Sequence, residues 1–163
     1  LVDAHAKGDG GDDAVESASH EVVLDLAAQG GLQPRMIGTG ADADGLQLIG
    51  CRITNAVKCV PPENKSETGE IKRCNDYLKQ ELAALPAGTA ILALGLIAHK
   101  AVLMALGLKA ASHVFAHEAS HALPGGCRLY DSYHCSRYNT QTRRLTPEMF
   151  RAVFARIAAD RKE

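Results

Sequence analysis

Residues 89–95, TAILALG, constrain the fold more than any other stretch of the chain. After Thr89 no polar residue interrupts the run, so a strand built from it has to be covered on both faces. Strands of that kind lie inside sheets flanked by helices, most often parallel ones. The flanks agree. Glu70 to Leu85 reads as an amphipathic helix, with Ile71, Cys74, Leu78, Leu82 and Leu85 on one face and Pro86 and Gly88 ending it. Gly95 turns the strand into a second helix, Leu96 to Leu106.

The rest of the chain repeats this alternation. Leu46 to Val57 reads as a strand anchored by Leu46, Leu48, Ile53 and Val57. Arg128 to Tyr133 reads as another, and His113 to Ala116 as a short one. Residues 18–28 read as a short helix through Val22, Val23, Leu26 and Ala27. Thr146 is an N-cap with Pro147 at the first helical position, and the last helix is expected to bury Met149, Phe150, Val153, Phe154 and Ile157. Residues 1–14, 29–45 and 59–69 read as loops. A single α/β domain over residues 1–163 follows, with residues 1–17 as an acidic, Gly-rich start. Ligands of such sheets gather beyond the carboxyl ends of strands. Two polar clusters stand at such ends, Thr54-Asn55 and His134-Cys135-Ser136.

Charge and cysteine usage narrow the setting. Residues 1–21 set six acidic side chains against Lys7, whereas residues 128–144 set four arginines against Asp131. The basic strip suits phosphates, and it equally suits a solvated surface. The five cysteines are an odd number and no secretory signal opens the chain, so a reducing cytoplasm is expected rather than a disulfide framework. No stretch approaches the ~18 to 20 apolar residues of a membrane span.

Four candidate sites emerge. His134, with Ser136 and Asn139, could donate to a developing negative charge, or be a structural histidine in a capped loop. His117 to His121 matches H-E-x-x-H, the zinc-ligand spacing of a metal-dependent hydrolase. That motif needs a long helix, and strand-like residues before it and Pro124-Gly125-Gly126 after it leave little room. Cys59 and Cys74, with fourteen residues between them, could ligate zinc or an iron–sulfur cluster. Cys74 could equally be a buried thiol on an apolar helix face. Gly38-Thr39-Gly40 is a glycine pair without the strand a phosphate loop follows.

Read together, several segments resemble the iron–sulfur uracil-DNA glycosylases. Thr54 to Lys65, TNAVKCVPPENK, is similar to that family's T-N-A-V-K-C-x-P-P-x-N-K block, and Cys74 follows at the family spacing. Ala93-Leu94-Gly95 resembles the next block. Tyr133 to Thr142, YHCSRYNTQT, resembles the H-P-S-x-x-N motif with Cys135 in place of Pro, and Arg143 to Met149 resembles the ending of the type 5 branch. The similarity runs from about residue 46 to residue 157. It implies a three-layer α/β/α sandwich with a central, mainly parallel sheet. It implies a DNA repair enzyme, a monomer, that flips a deaminated base from DNA and hydrolyses its N-glycosidic bond, taking uracil and often hypoxanthine. By resemblance His134 is catalytic and Asn55 contacts the base. Ser136, Arg137, Asn139, Gln141 and Arg143 face the DNA, and Cys59 and Cys74 are two of four ligands of a 4Fe-4S cluster.

The first third departs from that pattern. Carried backward without gaps, the register lays residues 1–17 over the family's first motif, where only isolated matches such as His5 and Gly11 survive. Residues 8–12 hold no Arg, Ala14 falls where a base-stacking Phe belongs, and Ser17 falls at an Asp position. The water-positioning and stacking roles therefore transfer to no residue. Three readings follow: a working glycosylase, a catalytically degenerate relative that binds DNA or base, and a metal-dependent hydrolase built on His117 and His121.

Overall fold

The computed structural model describes residues 21–25, 51–56, 58 and 68–161. The expected loops at 1–14 and 29–45, residues 46–50 of the expected strand, Gly38-Thr39-Gly40 and Cys59 lie outside those residues.

Five strands form one sheet in the order β2-β1-β3-β5-β4: β1 Glu21–Asp25, β2 Cys51–Asn55, β3 Ala90–Leu94, β4 Ser120–Ala122 and β5 Arg128–Ser132. The core pairing is the parallel β3–β5 pair, with Ala93 opposite Asp131 and Leu94 opposite Ser132. β1 pairs antiparallel with both β2 and β3, and β4 pairs antiparallel with β5. β2, β3 and β5 therefore run in one direction, and their carboxyl ends share one edge.

Four helices complete the fold: α1 Thr68–Ala83, α2 Leu96–Ala105, α3 Arg137–Gln141 and α4 Pro147–Asp160. Every residue of β3 is buried, as the uninterrupted apolar run requires. Ile91 and Ala93 pack on one side with Leu78 and Leu82 of α1 and Val102 and Leu103 of α2. Ala90, Leu92 and Leu94 pack on the other side with Val153 and Ile157 of α4. The period of two in the strand thus divides the core into two layers, giving α1/α2, sheet and α4. No helix among the described residues is long and apolar enough to cross a membrane.

Three local expectations are corrected. Glu21–Asp25, expected within a helix, is a strand, because Val22 to Leu24 find backbone partners on both β2 and β3. His113 to Ala116 forms no strand, and the short strand lies later, at Ser120–Ala122. Phe154 is 44% exposed, since Val153 and Ile157 take the centre of the buried face and Phe154 falls on its shoulder, edge-on to Phe150.

Candidate active site

The shared carboxyl edge of β2, β3 and β5 carries the two polar clusters. Asn55 is the last residue of β2 and is half-buried. Its neighbour Thr54 is buried and donates to Glu81 of α1 at 2.8 Å, while Lys58 and Arg52 pair with the same carboxylate. This ties the end of β2 to α1. His134 stands two residues past β5 and is also half-buried. Three strand spacings separate β2 from β5, ~14 Å at about 4.8 Å each.

Gly95, the residue after β3, backs His134. Its φ of +97° with ψ of 165° belongs to a region that is essentially reserved for glycine. A Cβ placed there would lie 3.2 Å from His134 Cβ. The Gly95 amide donates to the Ser132 carbonyl at 2.8 Å, carrying the parallel ladder one residue past the strands.

The loop after His134 is locked by its own side chains. Asn139 Nδ2 donates to the His134 carbonyl at 2.8 Å. Ser136 caps α3, its Oγ accepting from the Asn139 amide at 3.3 Å. Ser136 and Asn139 thus turn inward. Arg137, Gln141 and Arg143 are exposed, as are Tyr138 and Arg144. Arg143 adopts φ of +56°, and Arg144 lies 4.8 Å from the Tyr133 ring centre. A cavity of about 790 Å³ opens between α3 and α4, lined by Cys135, Arg143, Phe150 and Arg151 among others.

The H-E-x-x-H segment does not form the metal site its spacing allows. His117 and Glu118 lie in a turn and His121 lies in β4, so the helical i, i+4 geometry is missing. His117 Nδ1 accepts from the Tyr133 amide at 3.2 Å, and its ring stacks on Tyr133 with centroids 5.0 Å apart. Glu118, at φ of +63°, donates its amide to the Asp131 carbonyl at 2.9 Å. Its own carbonyl accepts from Arg156 of α4 at 2.8 Å. The segment braces β5.

A buried charged cluster sits under this brace. Asp131 and His99 are 0% and 1% exposed. His99 Nδ1 lies 2.8 Å from Asp131 Oδ1, and His99 Nε2 lies 2.9 Å from the His113 carbonyl. With Asp131 as a carboxylate both partners accept, and a neutral imidazole has only one N–H, so both bonds are then made by the imidazolium. His121 Nε2 donates to Asp131 Oδ2 at 3.1 Å. Burial pulls the His99 pKa down, but the hydrogen bond and charge of Asp131 and the His113 carbonyl outweigh it and leave the value raised. Sequence reading passed over both residues. The available signals were a carboxylate inside the short strand Arg128 to Tyr133 and a histidine within an apolar helix.

The sequence profile described as "Uracil DNA glycosylase superfamily" matches residues 18–158. The chain belongs to the uracil-DNA glycosylase superfamily. Within that superfamily it is similar to the type 5 branch. It is 47% identical over 110 residues to the type-5 uracil-DNA glycosylase of Thermus thermophilus, covering 68% of this chain and 50% of the relative. It is 40% identical over 117 residues to the type-5 uracil-DNA glycosylase of Pyrobaculum aerophilum, covering 72% and 50%. A type-4 uracil-DNA glycosylase of the same organism is 42% identical over 73 residues, 41% of this chain and 37% of the relative. The chain spans about half the length of the type-5 relatives it matches.

The cysteines of this uracil-DNA glycosylase homologue do not assemble a cluster site among the described residues. Cys74 is 8% exposed on the inner face of α1, the face that carries Leu78 and Leu82. Cys127 lies 3.6 Å from the Pro86 carbonyl and Cys135 is exposed beside His134. The group of three or more potential ligands that could meet at one ion, among those residues, is His99, His121 and Asp131, without a thiolate. Four thiolates are what a 4Fe-4S cluster requires, so the described set does not fit one.

Proposed function

We propose that this protein excises uracil from DNA by hydrolysing the N-glycosidic bond. The observation that carries the reading is His134 at the carboxyl edge of the sheet, its carbonyl held by Asn139 and its Cβ backed by Gly95. Cleavage breaks the bond between the sugar C1′ and the base nitrogen: the bonding pair leaves with the base, a water oxygen bonds to C1′, and a proton is left to neutralise the base. A donor already in place at the base oxygen lowers the cost of that charge without reorganising. His134 supplies it. Asn55, on the same edge, offers an amide that can both donate to and accept from a flipped base. Ser136 and Asn139 set the loop, and Arg137, Gln141 and Arg143 meet the phosphates. Tyr138, 65% exposed, gives that loop an aromatic face on which a base can stack.

The finer points of this reading are a monomer acting on genomic DNA in a bacterial or archaeal cytoplasm, with hypoxanthine as a second base. The same reading makes Cys59 and Cys74 two ligands of a 4Fe-4S cluster in the whole protein. Iron content and visible absorption test that part: a folded, colourless, iron-free protein rejects it.

A second reading has its own observation. Ala14 and Ser17 stand where the family's first motif carries a stacking Phe and an Asp. A chain altered there would keep base or DNA binding without catalysis. A uracil-containing duplex oligonucleotide decides between the two. Abasic product that disappears in His134→Ala supports excision. Binding with no product above background supports the second reading.

A further inference from the structure

The side of β5 away from α4 ends in Asp131, whose carboxylate reaches two histidines on two other elements. Its backbone is equally engaged: its amide donates to Ala119 at 3.0 Å and its carbonyl accepts from Glu118 at 2.9 Å. His99 lies one turn into α2, the helix that begins immediately after Gly95, and its amide donates to the Gly95 carbonyl at 3.1 Å. Asp131 and His99 therefore join the two chain segments, one leading into His134 and one leading out of Gly95, at the point where those residues touch.

We propose that Asp131 is a positioning residue, acting through the His99 imidazolium to clamp α2 to β5 and so to fix where His134 stands against Gly95. The proposal rests on the excision reading and adds residues that do not touch the base. The clamp is specific in its chemistry. Without the Asp131 charge, His99 reverts to a neutral ring with one N–H, and a neutral ring cannot donate to both Oδ1 and the His113 carbonyl. One of the two ties is then lost, either to β5 or to the loop at His113. The groups facing His99 are Asp131 from β5, the His121 ring from β4 with centroids 5.5 Å away, and the His113 carbonyl and Phe115 ring from the connecting loop. Lys100, next on the same helix, opposes the imidazolium charge. His121 adds a third tie, holding β4 to the same carboxylate.

Single-turnover excision of uracil from a duplex oligonucleotide, with binding to the same duplex measured separately, tests the clamp in Asp131→Ala, which can neither accept from nor donate to the ring, and in His99→Gln. Both variants are expected to slow the chemical step about 10- to 100-fold, as small misplacements of a catalytic group do, with the dissociation constant nearly unchanged. The His134 ring resonances are expected to shift in both. A folded variant with the parental rate and unshifted His134 resonances overturns the proposal. If the variants fail to fold, the unaltered protein still decides. The ¹⁵N shifts of its labelled histidines are expected to show His99 mostly doubly protonated at pH 6.5, where an unperturbed histidine is half so. A His99 ring that carries a single N–H at that pH overturns the clamp. A doubly protonated His99 in a protein that excises no uracil leaves the clamp standing and defeats the excision reading instead.

Discussion

Gly95 and His134 stand so close that a Cβ on the glycine would lie 3.2 Å from the histidine Cβ. The glycine is therefore required twice, by its φ of +97° and by the side chain it backs. Gly95→Ala is expected to cost about 1–3 kcal/mol from backbone strain. It is also expected to reduce excision more than that loss of stability explains, because His134 is pushed from its place. Denaturation midpoints and single-turnover rates measured side by side check this. An alanine variant with full activity would refute it.

If His134 is the donor to the leaving base, as proposed, His134→Ala removes that donor while leaving the strand and loop intact. Loss of one such donor costs about 10²- to 10³-fold in rate. The melting temperature is expected to stay within a few degrees of the parent. A loss of less than tenfold would show that His134 is not the leaving-group donor.

Asn139→Ala deletes the 2.8 Å bond to the His134 carbonyl but keeps the amide that Ser136 caps. The expected stability cost is about 1 kcal/mol, the worth of one hydrogen bond. The excision rate should fall while DNA affinity holds. Ser136→Ala removes the cap itself and should cost a similar amount of stability. Equal rates in Asn139→Ala and the parent would remove Asn139 from the positioning of His134.

The His99–Asp131 pair makes a pH prediction. His99 has a folded pKa raised above the ordinary 6.5, so its contribution is complete below that value. The contribution is lost as pH rises through the folded pKa. Denaturant midpoints at pH 6 and pH 9 should therefore fall further with pH in the parent than in His99→Gln. Removing one partner of a buried pair is costly, and Asp131→Ala is expected to lose about 3–5 kcal/mol. Identical pH slopes in parent and His99→Gln would contradict the imidazolium.

Arg137 and Arg143 are exposed on the loop after His134. Each phosphate contact contributes about 0.9 to the slope of log affinity against log salt on duplex DNA. Arg137→Gln and Arg143→Gln should each lower that slope by about 1 and weaken binding to matched and uracil-containing duplexes alike. Unchanged slopes would move the DNA path elsewhere.

The apolar run at 89–95 determined a buried strand, and the helical spacing around Cys74, Leu78 and Leu82 determined the helix before it. Both follow from local pattern, because a strand covered on two faces and a helix covered on one leave different periods in the chain. The N-cap at Thr146 was legible for the same reason, since a cap is made by residues three apart. Glu21–Asp25 was misread because its strand exists only through partners on β2 and β3. The histidines of the H-E-x-x-H segment were ambiguous until β4 and the turn before it gave them acceptors and donors across space. Asp131 and His99 are 32 residues apart and meet only when α2 folds back over β5. Local pattern thus determined which segments bury themselves, because burial is written in side-chain spacing. Tertiary structure alone decided which charges share the interior, because a buried carboxylate takes its partner from whatever element the fold lays against it.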